Sequence, residues 1–293
     1  MYVLQTILNG ILLGGIYSLI AMGLTLILGT IRIINFAHGE FLMISMYMAY
    51  LMFQFGGINP YISSILVALI MFVFGVSIQR FLVQPIQTSS ANIKILLTLG
   101  ISIILQNVAL MIFSANYYSI QTPMQNSTVG FMGLTIGMPE LLAFFSSIIL
   151  SILLWAFLSF TFTGKAIRAL AQNYTASMLM GISVKKMYII AFGIGSALVG
   201  FAGGLLIPMY SVYPSVGTSF VLLSFVIVVL GGMGSILGAF LGGIIIGILQ
   251  SLVGLYEPAL SEVAYFILFL LILLIKPSGI LGLGKNSEEV GLK

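Results

Sequence analysis

The chain has 293 residues, of which 60% are apolar and 5% are charged, and it has a formal net charge of +4 and no cysteine. A soluble domain of this length needs far more surface charge, and a membrane β-barrel needs a period-2 alternation that is missing, so both classes are excluded. The absence of cysteine excludes a disulfide framework and a cysteine metal site, and the small positive charge does not suggest a nucleic-acid partner. The predicted fold is all-α, a polytopic helical membrane protein.

Nine apolar segments follow one another along the chain, and a transmembrane helix needs roughly 20 residues. The chain is therefore expected to form one transmembrane domain over 1–293, with about 8–9 transmembrane segments. Two segments, 40–55 and 216–231, are short, and short segments often mark irregular helices beside a transport pathway. The segments lie near 3–28, 40–55, 61–82, 94–113, 140–160, 187–207, 216–231, 236–256 and 260–276.

A polar stretch follows the first segment. Residues 1–31 and 41–79 carry no charged side chain, whereas charged or strongly polar residues recur within 32–40. Charges at bilayer depth are costly unless they are paired or wetted, so such residues are candidates for function. The candidates for a translocation pathway or gate are Arg32, Asn35, Phe36, His38, Gly39 and Glu40.

The same stretch has a structural interpretation, and the residues alone leave both open. Arg32 would lie at the interface and pair with Glu40, and Asn35 would cap the second span. If the stretch is helical, Arg32 and Asn35 are i,i+3 neighbours, as are Asn35 and His38. In either case we expect the stretch at the inner end of the first helical hairpin.

The distribution of Lys and Arg predicts the orientation, because cytosolic loops carry an excess of both. The connector 161–186 is the most basic segment and is predicted to be cytosolic. Counting spans from it places 114–139 outside as the long extracytoplasmic loop, and it places the N-terminus outside as well. Lys276 and Lys285 then lie inside. The basic cluster of the connector consists of Lys165, Arg168, Lys185 and Lys186.

The connector 161–186 is predicted to contain two short helices. Gly164 is expected to end the fifth span, and an amphipathic helix follows through about Gln172. Asn173 is expected to cap a second helix over 174–180, and Gly181 to stop it. The exposed face of that helix would indicate a docking surface for another protein. A helix that lies in the lipid headgroups is the alternative. The predicted exposed residues are Thr175, Ala176, Met178 and Leu179.

Glycines four residues apart recur, and this spacing places them on one helix face, where they allow close packing. Gly10/Gly14, Gly200/Gly204, Gly234/Gly238/Gly242 and Gly243/Gly247 have the spacing. Lining of a narrow pore is the alternative role, and the glycine density of 230–243 also allows a turn. The helix-packing candidates in that stretch are Gly231, Gly232, Gly234, Gly238 and Gly242.

No catalytic constellation can be recognised. The chain has no GxxxxGK[ST] motif for ATP, no aspartate, no cysteine and a single histidine. These absences leave no P-loop and no zinc site. The sequence therefore predicts that the chain is not an enzyme and binds no metal or cofactor itself.

Four motifs occur in order: "LGTIRIINFAHGEFLMISMYMAY" (28–50), "GKAIRALAQN…A…MGI" (164–182), "LGGMGSILGAFLGG" (230–243) and "KPSGILG" (276–282). Over essentially its whole length the chain resembles the permease subunits of the branched-chain amino acid ABC importers, the LivH-like subunits. These are in turn similar to the ribose-type sugar permeases.

The resemblance implies an ATP-driven importer for branched-chain or other hydrophobic amino acids in a bacterial or archaeal plasma (inner) membrane. It implies a second homologous permease subunit, two cytosolic ATPase subunits that bind ATP and Mg, and an extracytoplasmic amino-acid-binding protein. On the connector, Thr175-Ala176-Ser177 stands where the importer coupling motif has Glu-Ala-Ala, and Gly181 matches its glycine. The residues implied for ATPase coupling are Gly164, Arg168, Asn173, Thr175, Ala176, Ser177 and Gly181.

Three alternatives stay open. Permeases for urea or short-chain amides share much of the pattern, but they resemble "NMAHGE" more than "NFAHGE", so Phe36 favours amino acids. An ion-coupled secondary transporter usually keeps an acidic residue at the membrane midplane. Every Glu is expected near a membrane face here, which argues against that class. A membrane scaffold that transports nothing is the third alternative.

Overall fold

The computed structural model describes residues 2–125, 127–131 and 133–282, so Lys285 lies outside the described residues. Each of the nine predicted segments coincides with a long helix, which confirms a polytopic all-α membrane protein. Two further short helices form the connector. Within the described residues the helices are α1 (Tyr2–Ile31), α2 (His38–Gly56), α3 (Pro60–Ile78), α4 (Ala91–Phe113), α5 (Met138–Phe160), α6 (Phe162–Gln172), α7 (Tyr174–Leu179), α8 (Val184–Leu206), α9 (Val216–Gly231), α10 (Ile236–Gly254) and α11 (Ser261–Ile275).

Within the described residues, seven helices are long and apolar enough to cross a membrane by length and composition, with α11 counted together with the 3-10 turn Pro258–Leu260 that precedes it. Helices α2 and α9 fall short of that measure, because α2 begins with the polar residues His38 to Glu40 and α9 has 16 residues. These are the two segments that the sequence predicted to be short. Helix α3 continues as a π-helical turn over Gln79–Val83 and a 3-10 turn over Gln84–Ile86, where Pro85 has no N–H to extend an α-helix.

The helices run between two ends of the molecule. At one end, which we call the basic end, the Gln87 side chain donates to the Ile31 carbonyl at 3.3 Å, and the Ile280 N–H donates to the Leu230 carbonyl at 2.8 Å. The described Lys and Arg residues belong to the end of α1, the terminal turns of α3, α4, α8 and α11, and the connector helix α6, all on this side. The predicted clustering of positive charge on one face is therefore confirmed.

The opposite end, which we call the hairpin end, carries a small antiparallel sheet that the sequence did not predict. It consists of β1 (Thr128–Phe131) and β2 (Leu134–Gly137) within the predicted outer loop. The Thr135 N–H donates to the side chain of Gln5 at 2.9 Å and so ties the sheet to the start of α1. The start of α1 and the described part of the loop 114–139 thus share one end, as the count of spans predicted.

Helix α1 lies at the centre of the bundle and is buried along most of its length against α5, α8, α9 and α10. An added Cβ at Gly10 or Gly14 would fall 2.6 Å from a Cα atom of α10, so only glycine allows this approach. Gly243 and Gly247 face α1 in return. The predicted packing role of these two glycine pairs is confirmed, and the close contact fixes α1 relative to α10.

Candidate translocation segment and coupling connector

Residues 32–40, which we call the re-entrant segment, leave the end of α1 and turn back into the bundle. Helix α1 ends at Ile31, Arg32 has a positive φ of 56°, and residues 33–35 have no regular secondary structure. Arg32 and Asn35 are therefore not neighbours on a helix, whereas the His38 N–H donates to the Asn35 carbonyl at 3.3 Å in the turn before α2. The left-handed backbone at Arg32 ends the helix and reverses the chain.

The re-entrant segment reaches the middle of the bundle. The Nε2 atom of His38 lies 3.0 Å from the carbonyl oxygen of Ile20. Ile20 is about 16 Å along the helix from the end of α1, at a rise of ~1.5 Å per residue. Glu40 accepts a hydrogen bond at 3.3 Å from Ser102, the middle residue of α4. Arg32 lies at the end of the first hairpin as predicted, but the prediction is wrong for His38 and Glu40, because the chain folds back along α1.

Arg32 is exposed at the basic end, as the structural interpretation placed it, but the predicted Arg32–Glu40 pair and the Asn35 cap are not formed. The Arg32 guanidinium donates to the Ala171 carbonyl at 3.4 Å, whereas Glu40 bonds to α4, so the two do not pair. Helix α2 has Ala37 at its N-cap position without a side-chain cap. Asn35 instead accepts the Ala37 N–H at 3.2 Å, which closes a turn just before the helix.

Several polar atoms of the re-entrant segment are buried and have no hydrogen-bond partner among the described residues. Asn35, His38 and Glu40 are at most 2% exposed. The unpartnered atoms are Asn35 Nδ2, His38 Nδ1 and Glu40 Oε2. Such atoms cost ~1–3 kcal/mol each when they stay unsatisfied. They are therefore groups that a polar ligand passing through the bundle can bind.

Neighbouring helices hold the segment closed. A Cβ at Gly39 would overlap the carbonyl oxygen of Gly217 on α9, so two backbones meet there. The Phe36 ring packs on Phe225 of α9 with centroids 5.4 Å apart. Helix α4 supplies Thr98, whose hydroxyl donates to the Ile34 carbonyl at 3.1 Å.

Sequence reasoning missed the two α4 residues that bond to the re-entrant segment, Thr98 and Ser102. A signal was present, because hydroxyl residues four apart share one face of an otherwise apolar helix. Their partners, Ile34 and Glu40, become visible only once the segment is placed beside α4.

The connector begins with a cap. The Thr161 hydroxyl accepts the Gly164 N–H at 3.0 Å and starts α6, directly after α5 ends at Phe160. The sequence predicted that Gly164 ends the fifth span, and this is wrong. Gly164 lies in the first turn of α6. An added Cβ there would overlap the backbone at Phe157 and Leu158. Glycine at this position lets α6 pack tightly on the last turn of α5.

Helix α7 is fixed at both ends. The Asn173 side chain accepts the Ala176 N–H at 2.9 Å, and Gly181 has a φ of 78° where the chain leaves the helix. Both predicted caps are confirmed, and the predicted exposed face is exposed. Ser177 is buried. Its hydroxyl donates to the Asn173 carbonyl at 2.8 Å, which stabilises the helical turn. The surface available to another protein consists of Thr175, Ala176, Met178 and Leu179.

The glycines of 230–243 pack the α9–α10 corner. Gly231 and Gly238 face each other across it, and Gly242 approaches the Ile227 carbonyl. Gly232 and Gly234 have positive φ values of 102° and 84° in the turn between the helices. Gly234 precedes α10, so the expected stripe of Gly234, Gly238 and Gly242 on one helix does not form.

Arg168, the last of the coupling candidates, is exposed on α6.

Membrane-length helices that enclose a polar, irregular segment define a class, the polytopic membrane transport proteins. Within it, the family described as "Branched-chain amino acid transport system / permease component" matches residues 6–275. The chain belongs to this family of transport permeases.

Curated relatives agree and confirm the resemblance. The chain is 32% identical to the high-affinity branched-chain amino acid transport system permease protein LivH of Salmonella typhimurium, over 96% of both chains. It is 32% identical to the permease protein BraD of the corresponding system of Pseudomonas aeruginosa, over 95% of both chains. A probable LivH permease of Methanocaldococcus jannaschii is 31% identical over 95% of this chain and 92% of the relative. No solved structure matches the chain.

Proposed function

We propose that the chain is the permease subunit of an ATP-driven importer for branched-chain and other hydrophobic amino acids. The names of the curated relatives from bacteria and an archaeon support this cargo and a plasma (inner) membrane location. In the assembly a second homologous permease completes the pathway. Two ATPase subunits bind ATP and Mg²⁺, and an extracytoplasmic binding protein delivers the amino acid.

The charge distribution supports the orientation. The described Lys and Arg side chains gather at the basic end, and positive charge favours the cytosolic side. Helix α7 then projects into the cytosol, where ATPase subunits bind. The hairpin end, with the loop 114–139, faces the binding protein outside.

The observation that carries the proposal is the exposed helix α7, which is capped at both ends. Its ends are fixed by Asn173 and Gly181, so a push on the helix is transmitted rather than absorbed by fraying. Helix α6 carries the motion to α5 through the contact at Gly164. The bond from Arg32 to Ala171 joins α6 directly to the re-entrant segment. Closure of the ATPase pair thereby moves the segment that closes the pathway.

The re-entrant segment supplies weak and transient contacts for the cargo. The ammonium group of an amino acid suits Glu40 Oε2, and the carboxylate suits Asn35 Nδ2, both of which lack partners among the described residues. The apolar walls tolerate a branched side chain. Affinity resides in the binding protein, because a conduit must release what it carries.

One observation favours a second candidate, an ion-coupled secondary transporter. The sequence placed every Glu near a membrane face, yet Glu40 lies at the middle of α4 beside Ser102. A buried acid at that depth is the usual coupling site of such proteins. Membership of the permease family and the docking helix α7 support the ATP-driven importer instead.

The test is uptake of labelled leucine into vesicles that contain the complex with its ATPase subunits. We expect uptake with ATP and no ion gradient. Glu40→Gln should lower this uptake only in part, because the amide still accepts from Ser102 and the contact to the cargo ammonium group is weak and transient. Uptake driven by a proton or sodium gradient without ATPase subunits, and abolished by Glu40→Gln, would establish the second candidate.

Competition identifies the cargo. In cells that lack the gene and carry it on a plasmid, excess isoleucine or valine should lower leucine uptake, and excess urea should not. Competition by urea alone would assign the permease to amides.

A further inference from the structure

A cavity of about 280 Å³ lies at the basic end, apart from the re-entrant segment. Helices α1, α5 and α6 and the turn before α10 form its walls. One charged residue, Arg168 of α6, lines it, together with several hydroxyl side chains. The hydroxyl residues are Thr25, Thr30, Ser159 and Ser235.

Arg168 makes the cavity selective for an anion. No acidic residue lines the walls, so nothing in the cavity neutralises the guanidinium. A guanidinium presents several N–H donors in one plane and matches the oxygens of a phosphate group. The surrounding hydroxyl groups can donate to further phosphate oxygens.

Thr25 provides an independent indication of a ligand. Its side chain is fully buried, and its Oγ1 has no hydrogen-bond partner among the described residues. A serine or threonine hydroxyl buried without a partner is unfavourable. Because Thr25 lines the cavity, an oxygen of a molecule bound there can accept its proton.

The rim of the cavity is apolar and suits a ligand that has an apolar part. Trp155, the only tryptophan of the chain, lines the cavity and is 57% exposed. Its ring packs edge-on against Phe160 at 5.5 Å, and Leu237 is exposed on the facing wall. Tryptophan favours the level of the lipid headgroups. Apolar side chains beside a charged cavity fit acyl chains, from which a free phosphate ion gains nothing.

We propose that this cavity binds the headgroup of an anionic phospholipid from the adjoining leaflet. The Arg168 guanidinium and the Thr25 hydroxyl contact the phosphate, and the acyl chains run past Trp155 and Leu237. The site is distinct from the cargo pathway, and it would anchor α6 to the membrane beside the docking helix α7.

The native tryptophan is the probe. The full chain is reconstituted into phosphatidylcholine vesicles with increasing fractions of brominated phosphatidylglycerol or, in parallel, brominated phosphatidylcholine. We expect Trp155 fluorescence to be quenched at a lower fraction of the anionic lipid. Arg168→Gln should raise the fraction needed about fivefold, since it removes a direct hydrogen bond to the phosphate, which contributes ~1 kcal/mol. Lys165→Gln, on the same helix but outside the lining, should leave it unchanged.

Three outcomes overturn the proposal. The first is equal quenching by both lipids. The second is an equal loss of the preference for the anionic lipid in the Arg168 and Lys165 variants. The third is loss of that preference when millimolar inorganic phosphate is added. The last result would identify a site for free phosphate. If Arg168→Gln does not fold, Thr25→Val, which keeps shape and charge, must lower the preference for the anionic lipid.

Discussion

The re-entrant segment and the connector are both polar interruptions of an apolar chain, yet they meet opposite environments. Residues 35 and 37–40 are buried among α1, α4 and α9, whereas α7 exposes every residue except Ser177. The polar groups of the connector satisfy their own backbone through caps. Those of the re-entrant segment depend on distant residues and are left partly unpaired. Substitutions in the re-entrant segment should therefore disturb the packing of the bundle, whereas substitutions in the connector should leave the bundle folded.

The largest expected effect is on packing. Gly39→Val places a side chain against the backbone of Gly217, and overpacking of this kind costs about 3 kcal/mol. We expect a lower midpoint of thermal unfolding and little folded protein by size-exclusion chromatography. Gly100→Val on α4 is the matched control, because no atom lies within 4 Å of an added Cβ there. Equal stability of the two variants would contradict the closed packing of the segment.

The connector should show the reverse behaviour, with loss of transport in a folded protein. Gly181→Val forces a β-branched residue to a φ of 78°, a strain of ~1–2 kcal/mol. We expect this strain to weaken the transmission of ATPase closure through α7, so that leucine uptake falls about tenfold while ATP hydrolysis continues. Gly57→Val, at a φ of 61° on the hairpin end, is the control and should retain uptake. Identical uptake in both variants would remove the coupling role of α7.

A smaller effect is expected from single contacts within the re-entrant segment. His38→Ala removes the bond to the Ile20 carbonyl, and one hydrogen bond contributes ~1 kcal/mol, or about fivefold in uptake. Arg32→Ala removes the link to Ala171 and should act in the same direction. Assembly with the partner subunits, measured by co-purification, should persist in both. Uptake at the wild-type level in both variants would show that the segment has a structural role only.

The smallest effect is expected from the cap of α7. Asn173→Ala removes the acceptor for the Ala176 N–H, and loss of a cap costs ~1 kcal/mol. Because Gly181 still holds the other end, we expect about half of this cost to reach the coupled state, so that uptake falls about threefold or less. Asn59→Ala removes the equivalent cap of α3 at the hairpin end and should leave uptake intact. A larger loss in the Asn59 variant would show that cap loss acts through general stability.

Features set by local chemistry could be predicted from the sequence. Apolar length alone locates the nine long helices, and Asn173 and Gly181 delimit α7 because capping depends on neighbouring residues. The sheet β1–β2 was missed because its tie to Gln5 joins residues far apart in the chain.

Depth in the bundle could not be predicted. His38 and Glu40 lie near the middle of the bundle, where they form hydrogen bonds with Ile20 and Ser102. The spacing of residues along the chain does not indicate these partners. Gly164 was misassigned for a related reason. A glycine that ends a helix and one that lets two helices touch are the same residue in a sequence, and only the contact with Phe157 distinguishes them.

The most direct test of the central claim, that a cytosolic partner works the permease through α7, is the side on which this helix lies. The chain has no cysteine, so Leu179→Cys, at a position 84% exposed, and Tyr117→Cys, at a position 71% exposed near the hairpin end, each introduce a single thiol. A membrane-impermeant maleimide applied to intact cells should label the Tyr117 variant at once and the Leu179 variant only after permeabilisation. Labelling of the Leu179 variant in intact cells would contradict the account.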